Sequence, residues 1–160
     1  VKATTKPKER PWKGLKKRTG KDYLLVDGYN IIHAWEDLSA LAREDLDGAR
    51  AKLIDLLRNY QSWRGCQVIV VFDAYKVKGG KGAVEQLGDL YVVYTKEAET
   101  ADMYIERTTY QLSRDNRVRV ATSDGLEQMI ILGHGAQRMS AAELKYETDQ
   151  VMDQIRDTIG

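Results

Sequence analysis

The chain has 160 residues, the size of one domain and enough to bury a sizeable core. With 42% hydrophobic and 31% charged residues it is globular in composition, and a formal charge of +1 excludes both a uniformly basic nucleic-acid coat and an acidic disordered chain. The +1 is a near-cancellation: residues 1–21 hold nine Lys and Arg against Glu9 alone, whereas residues 22–160 hold 16 basic and 23 acidic residues. Both prolines, Pro7 and Pro11, fall in the same short segment. Residues 1–21 therefore read as a flexible basic arm, and residues 22–160 as one folded, acidic domain. A single cysteine, Cys66, excludes an intrachain disulfide and suits a reducing compartment. It stands just before an apolar run and reads as a buried thiol. No apolar run approaches the ~20 residues of a membrane helix, and no apolar signal segment opens the chain. The start at Val1 fits a processed product, so the expected compartment is the cytoplasm, or a chloroplast stroma if a transit peptide has been removed.

From residue 22 onward, short apolar runs alternate with amphipathic stretches. Tyr23 to Val26 reads as a strand ending at Asp27-Gly28. Leu46, Ala49, Leu53, Leu56, Leu57, Tyr60 and Trp63 follow helical spacing. Val68 to Phe72 is a second strand ending at Asp73, and the glycine-rich stretch 76–88 reads as a mobile loop. Leu90 to Tyr94 is a third strand. A helix follows, carrying Ala101, Ile105, Thr108, Thr109 and Leu112. Val118 to Ala121 is a strand running into Thr122-Ser123-Asp124, and Leu126 to Leu132 reads as a short helix closing at Gly133. Ser140-Ala141-Ala142-Glu143 is a capping box opening a last helix with Leu144, Val151 and Ile155. Continuous β-branched runs without polar alternation suit strands buried on both faces, so the pattern predicts an α/β fold: a mainly parallel sheet of about five strands flanked by helices.

The acids carry the functional signal. Asp27, Asp73 and Asp124 each stand at or just beyond the end of a predicted strand, and the carboxyl ends of an open parallel sheet share one edge, where ligands bind. Asp102 joins them from the first turn of the following helix, with Glu97 and Glu99 nearby. Clustered carboxylates repel unless a cation neutralises them, and a set of oxygen donors without Cys or His suits Mg²⁺ or Mn²⁺ rather than structural zinc. Asn30, in Asp-Gly-Tyr-Asn, points at such a carboxylate or at phosphate, or else caps the next helix; Thr122 and Ser123 bind phosphate or cap in the same way. His33 and His134 lack any nucleophile or metal-ligand spacing and read as surface or packing residues, and no dinucleotide or P-loop motif is present. Trp63 fits the apolar face of its helix and Trp12 lies in the arm. Trp35, read as a loop residue near the acidic edge, is the candidate for stacking on a base. A phosphoacceptor receiver domain would need an acidic pair after the first strand and a Lys after the last; only Asp27 stands in place.

Val26-Asp27-Gly28-Tyr29-Asn30-Ile31-Ile32, then Val70-Val71-Phe72-Asp73-Ala74, then Tyr94-Thr95-Lys96-Glu97 with Glu99-Thr100-Ala101-Asp102, then Ala121-Thr122-Ser123-Asp124 with Glu127-Gln128 together resemble the YacP-like NYN-domain ribonucleases. Gly135-Ala136 and Arg138-x-Ser140-Ala141-x-Glu143-Leu144 extend the resemblance to about residues 22–157. It implies a PIN-like three-layer α/β sandwich with a divalent-metal-dependent nuclease centre, similar to that of a bacterial endoribonuclease that cuts mRNA in the ribosomal A site. By that resemblance Asp27, Asp73, Asp102 and Asp124 are the metal-binding catalytic acids, supported by Asn30, Glu97 and Ser123. Lys76, Lys78 and Lys81, with Arg138, are the residues expected to guide the RNA backbone. The expected activity is a monomeric, Mg²⁺- or Mn²⁺-dependent endoribonuclease acting on mRNA, with the ribosome as partner and no membrane. The rival is a non-catalytic RNA- or ribosome-binding adaptor on the same fold, which has no need of four gathered acids.

Overall fold

The computed structural model describes residues 20–74, 79–125, 133 and 135–159. The arm up to residue 19, with Trp12, lies outside them, as do Lys76, Lys78, Glu127, Gln128, His134 and the helix predicted over 126–132. The described residues form strands β1 (Asp22–Asp27), β2 (Gln67–Phe72), β3 (Ala83–Leu87), β4 (Leu90–Tyr94), β5 (Arg117–Ala121) and β6 (Gln137–Met139). Their helices are α1 (Gly28–Ala34), α2 (Glu36–Glu44), α3 (Leu46–Arg64), α4 (Ala101–Leu112) and α5 (Ala141–Ile159). The strands build one sheet in the order β3-β4-β2-β1-β5-β6, parallel throughout except for β3. None of the described helices is long and apolar enough to cross a membrane.

The two-residue period of the strands sorts the core into two layers. Leu24, Val26, Val68, Val70, Phe72, Leu90 and Val92 pack under α1, α2, α3 and α5. Leu25, Ile69, Val71, Val93, Val118 and Val120 pack against Ala101 and Ile105 of α4. Every residue of β2 is buried, as its unbroken apolar run requires. Each large side chain taken fully out of water contributes about 1.5–3 kcal/mol, and Tyr60, Phe72, Leu24, Leu25, Ile31, Ile32 and Leu53 are among those without exposed surface.

Four expectations change. The stretch read as a mobile loop contains β3, an edge strand paired antiparallel to β4 through the two-residue turn Gly88-Asp89. Gly88 has φ +64°, the left-handed conformation such hairpin turns demand. Residues Ala83 to Gln86 are exposed, so β3 is held by backbone pairing and leaves no apolar run to detect. The sheet accordingly has six strands rather than five. Trp35 is not available for stacking: it is the 4%-exposed joint between α1 and α2, and its indole N–H donates to the Ala141 carbonyl at 2.8 Å. The inward face of α3 is Ala49, Leu53, Leu57 and Tyr60, while Leu46 and Trp63, at the ends of the helix, are 42% and 44% exposed. Cys66 is buried, and burial pushes its thiol up, as expected of a packing cysteine. The capping box forms: Ser140 N–H donates to Glu143 Oε1 and Glu143 N–H to Ser140 Oγ.

Candidate active site

Three of the four acids meet at the carboxyl ends of the strands. Asp27 ends β1 and Asp73 follows the end of β2. Leu25 and Val71 face α4, so the strand period carries Asp27 and Asp73 to that same face. The N-terminus of α4 arrives there: Thr100 caps the helix by accepting the Met103 N–H at 3.1 Å, and Asp73 Oδ1 accepts the Ala101 N–H. A carboxylate beside the positive end of a helix is favourably placed. Asp102 occupies the first turn of α4. Thr95, 1% exposed, braces the end of β2 by donating its N–H to the Phe72 carbonyl and accepting the Ala74 N–H at 3.0 Å.

Asp27 is 6% exposed and lies within hydrogen-bonding reach of Asp102. Burial, then the charges of Asp102 and Asp73, push its carboxyl up to about 7, with the Asn30 N–H opposing. That N–H approaches Asp27 without closing a capping hydrogen bond. Asp27 thus titrates near neutral pH, and a nearby cation would favour its ionised form. Among the described residues no three His, Cys, Asp or Glu side chains are already gathered into a metal-binding set. The donor chemistry fits a hard divalent ion all the same. All three groups are carboxylates, and the repulsion at Asp27 is what such an ion would offset, so binding one would draw the acids together.

Asn30 is not the cap of α1. It is the third residue of α1, and its Oδ1 accepts from Ser123 N–H at 2.6 Å, Ser123 Oγ at 2.9 Å and Thr122 Oγ1 at 3.2 Å. It therefore clamps the turn after β5 to the turn after β1. Asp124, half-buried, continues that turn, its N–H donating to Thr122 Oγ1 at 3.1 Å. The Asn30 clamp therefore ties the turn that carries Asp124 to the start of α1.

The remaining candidates are dispersed. Glu97 is exposed and holds the approach to β3, its Oε1 accepting the Gly79 N–H at 3.1 Å and its N–H donating to Gly80 O. Glu99 is buried against Arg107 at 2.7 Å. Lys81 is exposed just before β3. Arg138 is exposed on β6, lining an open cavity of about 410 Å³ with Arg119, Glu143, Tyr146 and Glu147.

The YacP-like NYN domain pattern matches residues 24–160, from within β1 past the end of α5. The chain belongs to the YacP-like NYN domain family. It is 44% identical over 135 residues to the uncharacterized protein YacP of Bacillus subtilis (strain 168), covering 84% of this chain and 79% of that one. It is also similar to the crystal structure of Rae1 (YacP) from Bacillus subtilis, with TM-score 0.73 and 43% identity over 86% of this chain and 79% of that one. A tryptophan-to-leucine mutant of Rae1 gives TM-score 0.72 and 42% identity over 85% and 79%. The six-stranded, mostly parallel sheet and its flanking helices are those of this PIN-like fold, and the NYN domain points to a nuclease-type function on RNA.

Within this NYN domain one cluster escaped sequence reasoning. On the face opposite the acids, Tyr29 and Phe72 meet edge to face at 5.0 Å, and Phe72 stacks on Tyr94 at 5.8 Å. Arg50, from the first turns of α3, lies 6.0 Å from the Phe72 ring and 5.9 Å from the Tyr94 ring, and its Nη1 donates to Tyr29 Oη at 2.9 Å. In the sequence Arg50 is one more charge on an amphipathic helix. Only Tyr29, inside Asp-Gly-Tyr-Asn, could have drawn attention to it.

Proposed function

We propose that this NYN domain is a metal-dependent endoribonuclease that cuts mRNA, working with the ribosome. The observation that supports it most is Asp27, raised to about 7 by its burial and then by the charges of Asp102 and Asp73. A fold with no use for a cation gains nothing from forcing these carboxylates together. Nucleases of this fold family generally depend on divalent ions. A bound Mg²⁺ or Mn²⁺ would polarise the phosphodiester, activate water and stabilise the leaving oxygen.

Asp27, Asp73 and Asp102 would hold the ion, and Asp124 would complete the set. Asn30 and Ser123 keep the Asp124 turn against α1. Thr100 and the Asp73–Ala101 hydrogen bond set the height of Asp102. Lys76, Lys78, Lys81 and Arg138 would contact the RNA backbone. An acidic edge repels RNA, so the basic arm or a large partner presenting the RNA supplies the attraction.

The test is cleavage of a defined mRNA with and without translating ribosomes, plus and minus Mg²⁺ or Mn²⁺, for wild type, Asp27→Asn and Asp124→Asn. Metal-dependent cutting by wild type, lost in both variants, is expected. Full activity in both variants overturns the assignment, and RNA binding without cleavage under every ionic condition turns the reading to the adaptor.

A further inference from the structure

We propose that Arg50 binds a phosphate of the RNA strand and that Asp47 is the intramolecular stand-in which this phosphate displaces. The inference rests on RNA being the ligand of the acidic edge.

Arg50 is anchored mainly by uncharged groups, and its charge is met only by an exposed carboxylate. Its contacts are the Tyr29 hydroxyl, the Phe72 and Tyr94 rings, and one carboxylate, Asp47. The Arg50 side chain is 22% exposed and that of Asp47 is 84% exposed. An i,i+3 ion pair open to water on one side contributes only tenths of a kcal/mol. A guanidinium presents five N–H donors in a plane that matches phosphate, and such a pairing is stronger than a solvated surface contact. The aromatic bed holds the guanidinium in one orientation before any ligand arrives.

The location suits a substrate strand. Tyr29 is two residues beyond Asp27, and Phe72 immediately precedes Asp73. Strand alternation places the acids on the α4 face of these strand ends and Arg50 on the α3 face. A single strand crossing the sheet edge would meet both, its reacting phosphate at the acids and a neighbouring phosphate at Arg50. A fixed cation there offsets the repulsion between RNA and the carboxylates.

The experiment titrates wild type, Arg50→Gln and Asp47→Asn with a short fluorescent single-stranded oligoribonucleotide in EDTA, across a range of salt, with thermal melting to verify folding. Arg50→Gln is expected to weaken binding about tenfold. It should also flatten the plot of log K against log salt by about 0.7, the value of one phosphate contact on a single strand. Asp47→Asn is expected to tighten binding about threefold. Loss of a carboxylate by itself relieves repulsion of RNA, so the gain is compared with that of Asp47→Asn made in Arg50→Gln; a purely structural Arg50 predicts the same gain in both backgrounds. Unchanged affinity in a folded Arg50→Gln protein, or the same gain from Asp47→Asn with and without Arg50, overturns the proposal; if Arg50→Gln does not fold, Arg50→Lys serves as the second background. EDTA silences metal-dependent cutting. Variants that bind as expected in a protein that never cleaves RNA therefore sustain this inference while sinking the nuclease reading, and a wild type that binds no oligoribonucleotide overturns this inference while leaving ribosome-presented cleavage to its own test.

Discussion

Replacing Asp27 by asparagine should remove cleavage and make the metal-free protein more stable. An ordinary aspartate titrates near 3.8, and burial with the neighbouring acids raises Asp27 to about 7 in the fold. A raised carboxyl favours the folded state when protonated, so its contribution is full below about pH 4 and is lost as pH rises through about 7. At pH 8 the folded protein must hold a buried charge that the unfolded chain solvates freely. The gap between the two values, at about 1.4 kcal/mol for each tenfold change in proton affinity, sets an upper bound of about 4 kcal/mol. Asparagine keeps the shape without the charge, so in EDTA at pH 8 the variant is expected to gain about 2–4 kcal/mol over wild type. For a chain of this size that is a rise in Tm of roughly 5–10 °C. At pH 4 the two should melt together. Adding Mg²⁺ at pH 8 should raise the Tm of wild type more than that of the variant, because the ionised cluster is the form that binds the ion. Thermal or urea denaturation at both pH values, with EDTA and with Mg²⁺, measures all of this. An Asp27→Asn protein no more stable than wild type in EDTA at pH 8 refutes the account of a strained acidic centre.

Gly28→Ala would set a Cβ 2.4 Å from Cε1 of the fully buried Phe72 and should cost about 1–3 kcal/mol; an unchanged melting temperature would show that the cluster yields. Asn30→Ala strands three donors of Thr122 and Ser123 and should cost about 1–2 kcal/mol. It should lower cleavage roughly a hundredfold through misplacement of Asp124. Asn30→Asp, which keeps the acceptor, should recover stability more than activity, and equal loss of both would remove the clamp from the mechanism. Tyr60→Phe breaks a network in which the hydroxyl donates to Glu147 and accepts from Arg119 at 3.1 Å. It should cost about 1–2 kcal/mol in denaturant unfolding while leaving cleavage intact, since the network ties α3 and α5 to the sheet away from the acids.

What the sequence revealed of this fold was what burial writes into it. The unbroken run Val68 to Phe72 announces a strand covered on both faces, and Ala49, Leu53, Leu57 and Tyr60 announce the inward stripe of α3. Where a residue's role rests on backbone pairing or on a single long-range hydrogen bond, no pattern records it. β3 is exposed along almost its whole length and stays in the sheet by its ladder with β4. Trp35 looks like a loop aromatic until Ala141, over a hundred residues away, accepts its N–H. Asn30 looks like a cap until the turn after β5 arrives on its carbonyl.

The same distinction governs the site. Asp27 and Asp73 were legible because strand ends in a parallel sheet share an edge, and alternation then selects the face on which they converge. Asp102 depended on where α4 begins, which Thr100 as cap and the Asp73–Ala101 hydrogen bond settle together. One acid of the centre thus helps to place another: Asp73 anchors the helix end that brings Asp102 against Asp27. Asp73→Asn should therefore disturb more than its own charge. Its amide can still accept from Ala101, so the helix stays in place, while the loss of one repelling carboxylate lowers the Asp27 pKa from about 7. Asp73→Ala removes the acceptor as well and should loosen the start of α4. Hydrogen exchange at the Ala101 and Met103 amides distinguishes the two variants. Equal protection in both would mean that Asp73 does not position Asp102.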